Sequence, residues 1–225
     1  MRGRYKYFRS DRNRGQGFSL LELIIVGLVI LVLVAIATPQ CLNAMHMIRL
    51  RGAVTDLASL VQVQRIRALD DGRFYSSYIL PANGNNPQMA YVDILPQNVN
   101  GSSGTGGTVY NIGDPLASIS SEVSAQPLAA APNTANLKQQ LLPANSPVIP
   151  LDGSAAGTPV TFGPQGLPCA PTAVTGGTVC NSLGGPTAYW IFLQNNINQN
   201  WGAVTVTPAG RIRRWYFAGG TWASF

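Results

Sequence analysis

The chain has 225 residues, and only 11% of them are charged, against about 25% in an average soluble domain; its surface is not that of an ordinary soluble enzyme. A single histidine, His46, excludes zinc sites built on two or more imidazoles and argues against Ser-His-Asp or Cys-His chemistry, so no catalytic residue, metal or cofactor is expected. The net charge of +6 sits mostly in the first 17 residues, where Arg2, Arg4, Lys6, Arg9, Arg12 and Arg14 face only Asp11, and the rest of the chain is nearly neutral.

From Phe18 to Ala37 the sequence FSLLELIIVGLVILVLVAIA carries one charge, Glu22. About 20 residues at 1.5 Å per residue cross a ~30 Å hydrocarbon layer, so a transmembrane helix is expected. The basic head places the N-terminus in the cytoplasm and the bulk of the chain on the far side. An ordinary secretory signal is the alternative. Ala35-Ile36-Ala37 fits its cleavage pattern and would leave Thr38 as the new terminus, but its apolar region is usually only about 7 to 15 residues and free of acids. An ionised side chain in a membrane costs several kcal/mol and is normally kept for a partner. Cleavage after Gly17 would free an amine on Phe18 that could pair with Glu22 of a neighbouring chain. A plainer role for Glu22, near the start of the segment, is to reach the headgroups.

Gly17-Phe18-Ser19-Leu20-Leu21-Glu22, preceded by a short basic leader and followed by an unbroken apolar run, resembles the class III signal of type IV pilins and pseudopilins. The resemblance implies that prepilin peptidase cuts after Gly17 and methylates the new amine on Phe18. Glu22 then guides docking into a filament, and Pro39 is the helix-bending proline. It also implies the partners: other pilin or pseudopilin subunits, an inner-membrane assembly platform, and membrane lipid before assembly. The chain would cross the inner membrane once and later stand in a periplasmic or cell-surface filament.

Beyond Pro39, Leu42, Met45, Met47, Leu50, Val54, Leu57, Val61 and Ala68 recur at helical spacing with polar residues between them, which predicts an amphipathic helix. It should close near Asp70-Asp71-Gly72, where glycine supplies the left-handed conformation. The stripe is short and lacks flanking charge pairs, so packing on the chain's own sheet is favoured over a coiled coil. His46 reads as a surface or interface residue and Cys41 as an unpaired packing residue.

From Phe74 onward, β-branched and aromatic runs bounded by Gly, Pro and Asn predict strands at Tyr75–Leu80, Met89–Leu95, Thr108–Ile112, Thr158–Phe162, Thr187–Leu193, Ala203–Thr207 and Arg211–Phe217. Asn98–Gly107 and Ala125–Pro147 read as surface loops, with one helical turn at Leu137–Leu142. The expected fold is α+β, one long helix laid across an antiparallel sheet with long loops. Its parts are a leader at 1–17, an apolar half-helix at 18–38, an amphipathic half-helix at 39–72, and a β-rich exported domain at 73–225. Export places Cys169 and Cys180 where disulfides persist, and a bridge between them is expected, worth about 3 kcal/mol by loop entropy.

The final segment predicts a hairpin turning at Pro208-Ala209-Gly210. Strand alternation puts Arg211 and Arg213 on one face with Trp215 and Phe217, and Ile212 on the other. Arginines beside aromatics suit phosphate contact and base stacking; a solvated strand edge or a subunit contact is the alternative. Gly210-Arg211-Ile212-Arg213 resembles the Gly-Arg-x-Arg motif of the GspH/FimT branch of minor pilins. This implies DNA binding by Arg211 and Arg213 in natural transformation, with Arg214 an addition of this sequence.

The function expected from these observations is that of a non-enzymatic minor pilin of a type IV pilus. One alternative is a minor pseudopilin of a type II secretion system. Another is a membrane-tethered hydrolase using acids such as Asp93, Asp114, Glu122 or Asp152, which would need two carboxyls about 5 to 9.5 Å apart.

Overall fold

A computed structural model describes residues 19–80, 89–94, 117–118, 122–142, 146, 148, 150–153, 159–174, 177–181 and 187–225. Its first helix, α1, is Leu20–Asp71, and the chain divides into two compact units after Leu42. In the first unit every side chain from Leu20 to Leu42 is exposed. This stretch, about 35 Å of helix, is by length and composition apolar enough to cross a membrane. Pro39 lies inside α1 without ending it, and Thr38 Oγ1 donates to Val34 O at 2.7 Å one turn back.

The second unit begins with the amphipathic part of α1. Leu50, Val54, Leu57, Leu60, Val61 and Ala68 are buried there, at the spacing of one helical face. The helix ends as its sequence requires. Gly72 adopts φ +62°, and Arg73 N–H reaches back to Ala68 O at 3.3 Å, the hydrogen bond that closes a helix over a left-handed residue.

The main sheet is formed by β4 (Val123–Gln126), β5 (Pro150–Asp152), β9 (Ala188–Asn195), β10 (Trp201–Val206), β11 (Ile212–Ala218) and β12 (Thr221–Ser224). Its order is β12-β11-β10-β9-β4, with β5 parallel to β9 beside Ala188–Trp190. A second sheet joins β3 (Ala117–Ser118), β2 (Met89–Ile94), β1 (Tyr75–Leu80) and β6 (Val160–Phe162), and β7 (Ala170–Val174) pairs with β8 (Gly177–Asn181).

Residues of opposite parity on the main sheet enter two different cores. Tyr189, Ile191, Leu193, Val204 and Val206 meet the α1 stripe. Trp190, Phe192, Ala203, Trp215 and Trp222 form an aromatic cluster with Leu137. Leu137 belongs to α2, Thr134–Leu141, which follows a 3₁₀ turn at Leu128–Ala130. Asn133, left-handed at φ 44°, caps α2 by accepting from Asn136 N–H. Burial holds the helix and strands together, at about 1.5–3 kcal/mol per large side chain.

Most expected elements are present. The loop expected at Ala125–Pro147 is corrected: it contains the second half of β4, the 3₁₀ turn and α2, because Leu137 and the half-buried Leu128 and Leu141 complete the aromatic core. The helical turn expected at Leu137–Leu142 begins earlier, at Thr134. The strand expected at Thr108–Ile112 and the loop at Asn98–Gly107 lie outside the described residues.

At Gly202 the sheet lies directly against α1. A Cβ there would lie 2.5 Å from Val54 Cγ2 and 3.6 Å from Trp215 O. Overpacking typically costs about 1–3 kcal/mol. Gly202→Ala should therefore lower stability by that amount in thermal unfolding of the full chain in detergent. Adding Val54→Ala should recover part of the loss, because it vacates the colliding methyl.

Candidate functional site

Arg211, Ile212, Arg213, Arg214, Ser224 and Phe225 line an open groove of about 370 Å³. It forms where β11 outruns its neighbour. β12 pairs with Trp215–Ala218, and Phe225 N–H donates to Arg214 O at 3.3 Å. Among the described residues, Ile212 and Arg213 then have a strand only on the β10 side, opposite Val206 and Thr205. Three guanidinium groups border the groove, and no Asp or Glu side chain among the described residues does, so its side chains favour anions.

Gly210 sets the entry to this strand. The hairpin turn is closed by Gly210 N–H to Thr207 O at 2.8 Å and Thr207 N–H to Arg211 O at 2.9 Å. Gly210 adopts φ +75°, and a Cβ there would lie 2.6 Å from Gly166 O, which also accepts from Arg65 Nε at 3.0 Å. Its glycine is therefore demanded by backbone packing. Gly210→Ala should lower the unfolding midpoint, with a loss of at least about 1 kcal/mol, and thermal unfolding with and without a DNA oligonucleotide will separate this from any effect on binding.

The arginines do not share one face. Ile212 and Tyr216 pack toward the α1 core, and Trp215 and Phe217 toward the aromatic core, as alternation requires. Arg213 therefore shares its parity with Trp215, and Arg214 lies on the α1 side. There Arg214 Nη1 donates to Thr55 Oγ1 at 3.4 Å, and its guanidinium carbon stands 5.2 Å from the Phe225 ring centroid. Arg51 of α1 stands over the Tyr216 ring at 5.1 Å. Sequence reasoning missed Arg51, Thr55, Tyr216 and Phe225, although the four-residue helical spacing of Arg51 and Thr55 places them on one face.

Of the residues expected to serve processing and assembly, Gly17 and Phe18 lie outside the described residues. Glu22 is exposed in the first turn of α1, and Pro39 is within that helix. Cys169 is buried and disulfide-bonded. Cys180 lies in β8, opposite Pro171 in backbone register, and its side chain is outside the described residues. Cys41 is free and exposed rather than packed. Tyr189 Oη donates to Cys169 O at 2.6 Å, and burial pushes its phenol pKa up, so it remains a donor.

The acids considered for hydrolysis are not gathered together where they can be described. Glu122 accepts from Arg49 and lies 2.9 Å from His46 Nδ1, which ties α1 to the start of β4. Asp152 Oδ2 accepts from Leu128 N–H at 2.7 Å. The side chain of Asp93 and the whole of Asp114 lie outside the described residues.

No family model matches the chain, and no curated protein matches it. Among solved structures it is similar to FimU, a type IV minor pilin of Pseudomonas aeruginosa, at 14% identity and a TM-score of 0.38, over 77% of this chain and 92% of that one.

Proposed function

We propose that the chain is a minor pilin, cut after Gly17, methylated on Phe18 and assembled with other pilin subunits through α1. The observation that carries this is the division of labour within α1. Leu20–Leu42 is apolar and wholly exposed, with Glu22 in its first turn, whereas Leu50–Ala68 lays a buried stripe on a sheet. An apolar stretch of this length requires lipid or protein around it. Subunit packing in a filament supplies protein, and the Phe18 amine of one subunit would pair with Glu22 of the next, satisfying both charges.

Intact-mass and N-terminal analysis of membrane-extracted protein tests the processing. The expected product begins with methylated Phe18; a chain that starts at Thr38 or retains Met1 would overturn the proposal. The same measurement with and without reductant tests the proposed pairing of Cys169 with Cys180. Glu22→Ala should leave processing intact and remove the subunit from sheared filaments, read by immunoblot.

The arginine groove supports a second activity for the same subunit, the binding of DNA through Arg211 and Arg213. Its basis is the gathering of three arginines with no acidic side chain among the described lining residues, and the aromatic ring at its rim. The pair Arg211→Ala and Arg213→Ala should weaken binding of a single-stranded oligonucleotide at least tenfold. It should also reduce the slope of log affinity against log salt by about 1.4, at about 0.7 per phosphate contact. Filament incorporation should be unchanged. Absent or salt-insensitive binding by the unaltered chain would leave the filament role and favour a secretion pseudopilus.

A further inference from the structure

Arg51 is exposed on α1, four residues before Thr55, and its guanidinium is held over Tyr216. Thr55 Oγ1 donates back to Arg51 O at 2.9 Å and accepts from Arg214 at 3.4 Å. One hydroxyl thus links the turn of helix carrying Arg51 to the strand carrying Arg214. Tyr216 and Arg214 share the α1-facing side of β11. Arg51 has no ion-pair partner among the described residues, whereas Arg49, two positions away, is paired with Glu122.

Resting on the reading of the groove as a DNA site, we infer that this site has a second half on the helix side of β11. In that half Arg51, seated on Tyr216, contacts a further backbone phosphate of the same nucleic-acid strand. The strand would pass over the open edge of β11, from Arg211 and Arg213 on one side to Arg214 and Arg51 on the other. Residues two apart along a β-strand are about 6.8 Å apart, a step comparable with that between successive phosphates of an extended polynucleotide. Among the described residues no strand pairs with Ile212 and Arg213 on the side away from β10, which is where such a crossing would lie. A guanidinium resting on a ring is pre-positioned and loses little side-chain freedom when it takes up a phosphate. Arg51 lies far from Arg211 in sequence and outside the Gly-Arg-x-Arg segment.

The test is fluorescence-anisotropy titration of a labelled thymidine oligonucleotide with the full chain in neutral detergent, over a salt series, for the unaltered chain and for Arg51→Ala, Arg51→Lys and Arg67→Ala. Arg67, more than four turns further along the same helix than Arg51, controls for bulk charge. Arg51→Ala should weaken binding several-fold and lower the salt slope by about 0.7, while Arg51→Lys keeps the slope and Arg67→Ala changes neither. Thermal unfolding should be similar in all four proteins, because Arg51 is exposed. Salt-dependent binding whose slope is untouched by Arg51→Ala overturns this inference and leaves the DNA reading in place. An equal fall with Arg67→Ala also overturns it, since binding would then follow net charge. If the unaltered chain does not bind, the DNA reading itself fails and the second half of the site goes with it.

Discussion

The packing of the second part of α1 against β9 and β10 is the constraint on which the rest of the domain depends. Val54 sits over Gly202, where the sheet has no room for one added carbon. Around that point Leu50, Leu57 and Val61 are almost wholly buried. At about 1.5–3 kcal/mol each, they far outweigh the partly exposed contacts of Glu122 with His46 and Arg49, since such pairs contribute about 0–1 kcal/mol. The same approach fixes the distance of α1 from β11. Only because the backbones are close can Arg214 reach Thr55, and Arg51 lie on Tyr216.

A second layer makes the strands rigid from the other side. β9 reads AYWIFLQN, with all but one residue buried, the composition of a strand covered on both faces. The cover on the far face comes from α2 and the aromatic cluster, where Trp215 Nε1 donates to Thr205 Oγ1 at 2.8 Å and Trp222 Nε1 donates to Pro132 O at 2.9 Å. The buried indole donors are thereby satisfied. β11 is clamped between the two layers through Trp215 and Tyr216, so the arginines just before them project from a fixed backbone.

The long helix was legible in the sequence because its period is sustained, and its end because Asp71-Gly72 gives a stop with a known mechanism. The strands β1, β2, β9, β10 and β11 were legible from β-branched and aromatic runs. What escaped detection is made of weak or non-local signals. α2 is TANLKQQL, legible only as a turn at Leu137–Leu142, with apolar positions too few to show a stripe, lying in a stretch dominated by Ala, Pro and Asn. β7 contains a proline and β8 a glycine, in five residues each, which lowers any local strand preference. At the groove, strand alternation correctly divided Ile212 from Trp215 and Phe217. Arg51 could not be found that way, because its meeting with Tyr216 depends on where α1 crosses the sheet.

The placement of the acids gives the arginine edge its meaning. Glu122 is engaged by Arg49 and His46, Asp71 accepts from the Tyr75 hydroxyl, and Asp152 accepts from Leu128 N–H. Arg65 is bound to a backbone carbonyl. These acids and Arg65 each have a local partner, while none of these acids lines the groove of Arg211, Arg213 and Arg214. A chain that is nearly neutral beyond its leader gains little long-range attraction for anions from net charge. Attraction for an anion would come from this local concentration, in which Arg214 is held by the Thr55 hydroxyl and the Phe225 ring. The proposed filament role rests on Leu20–Leu42 and the proposed anion site on β11 with the facing turn of α1, so mutation can alter one without the other.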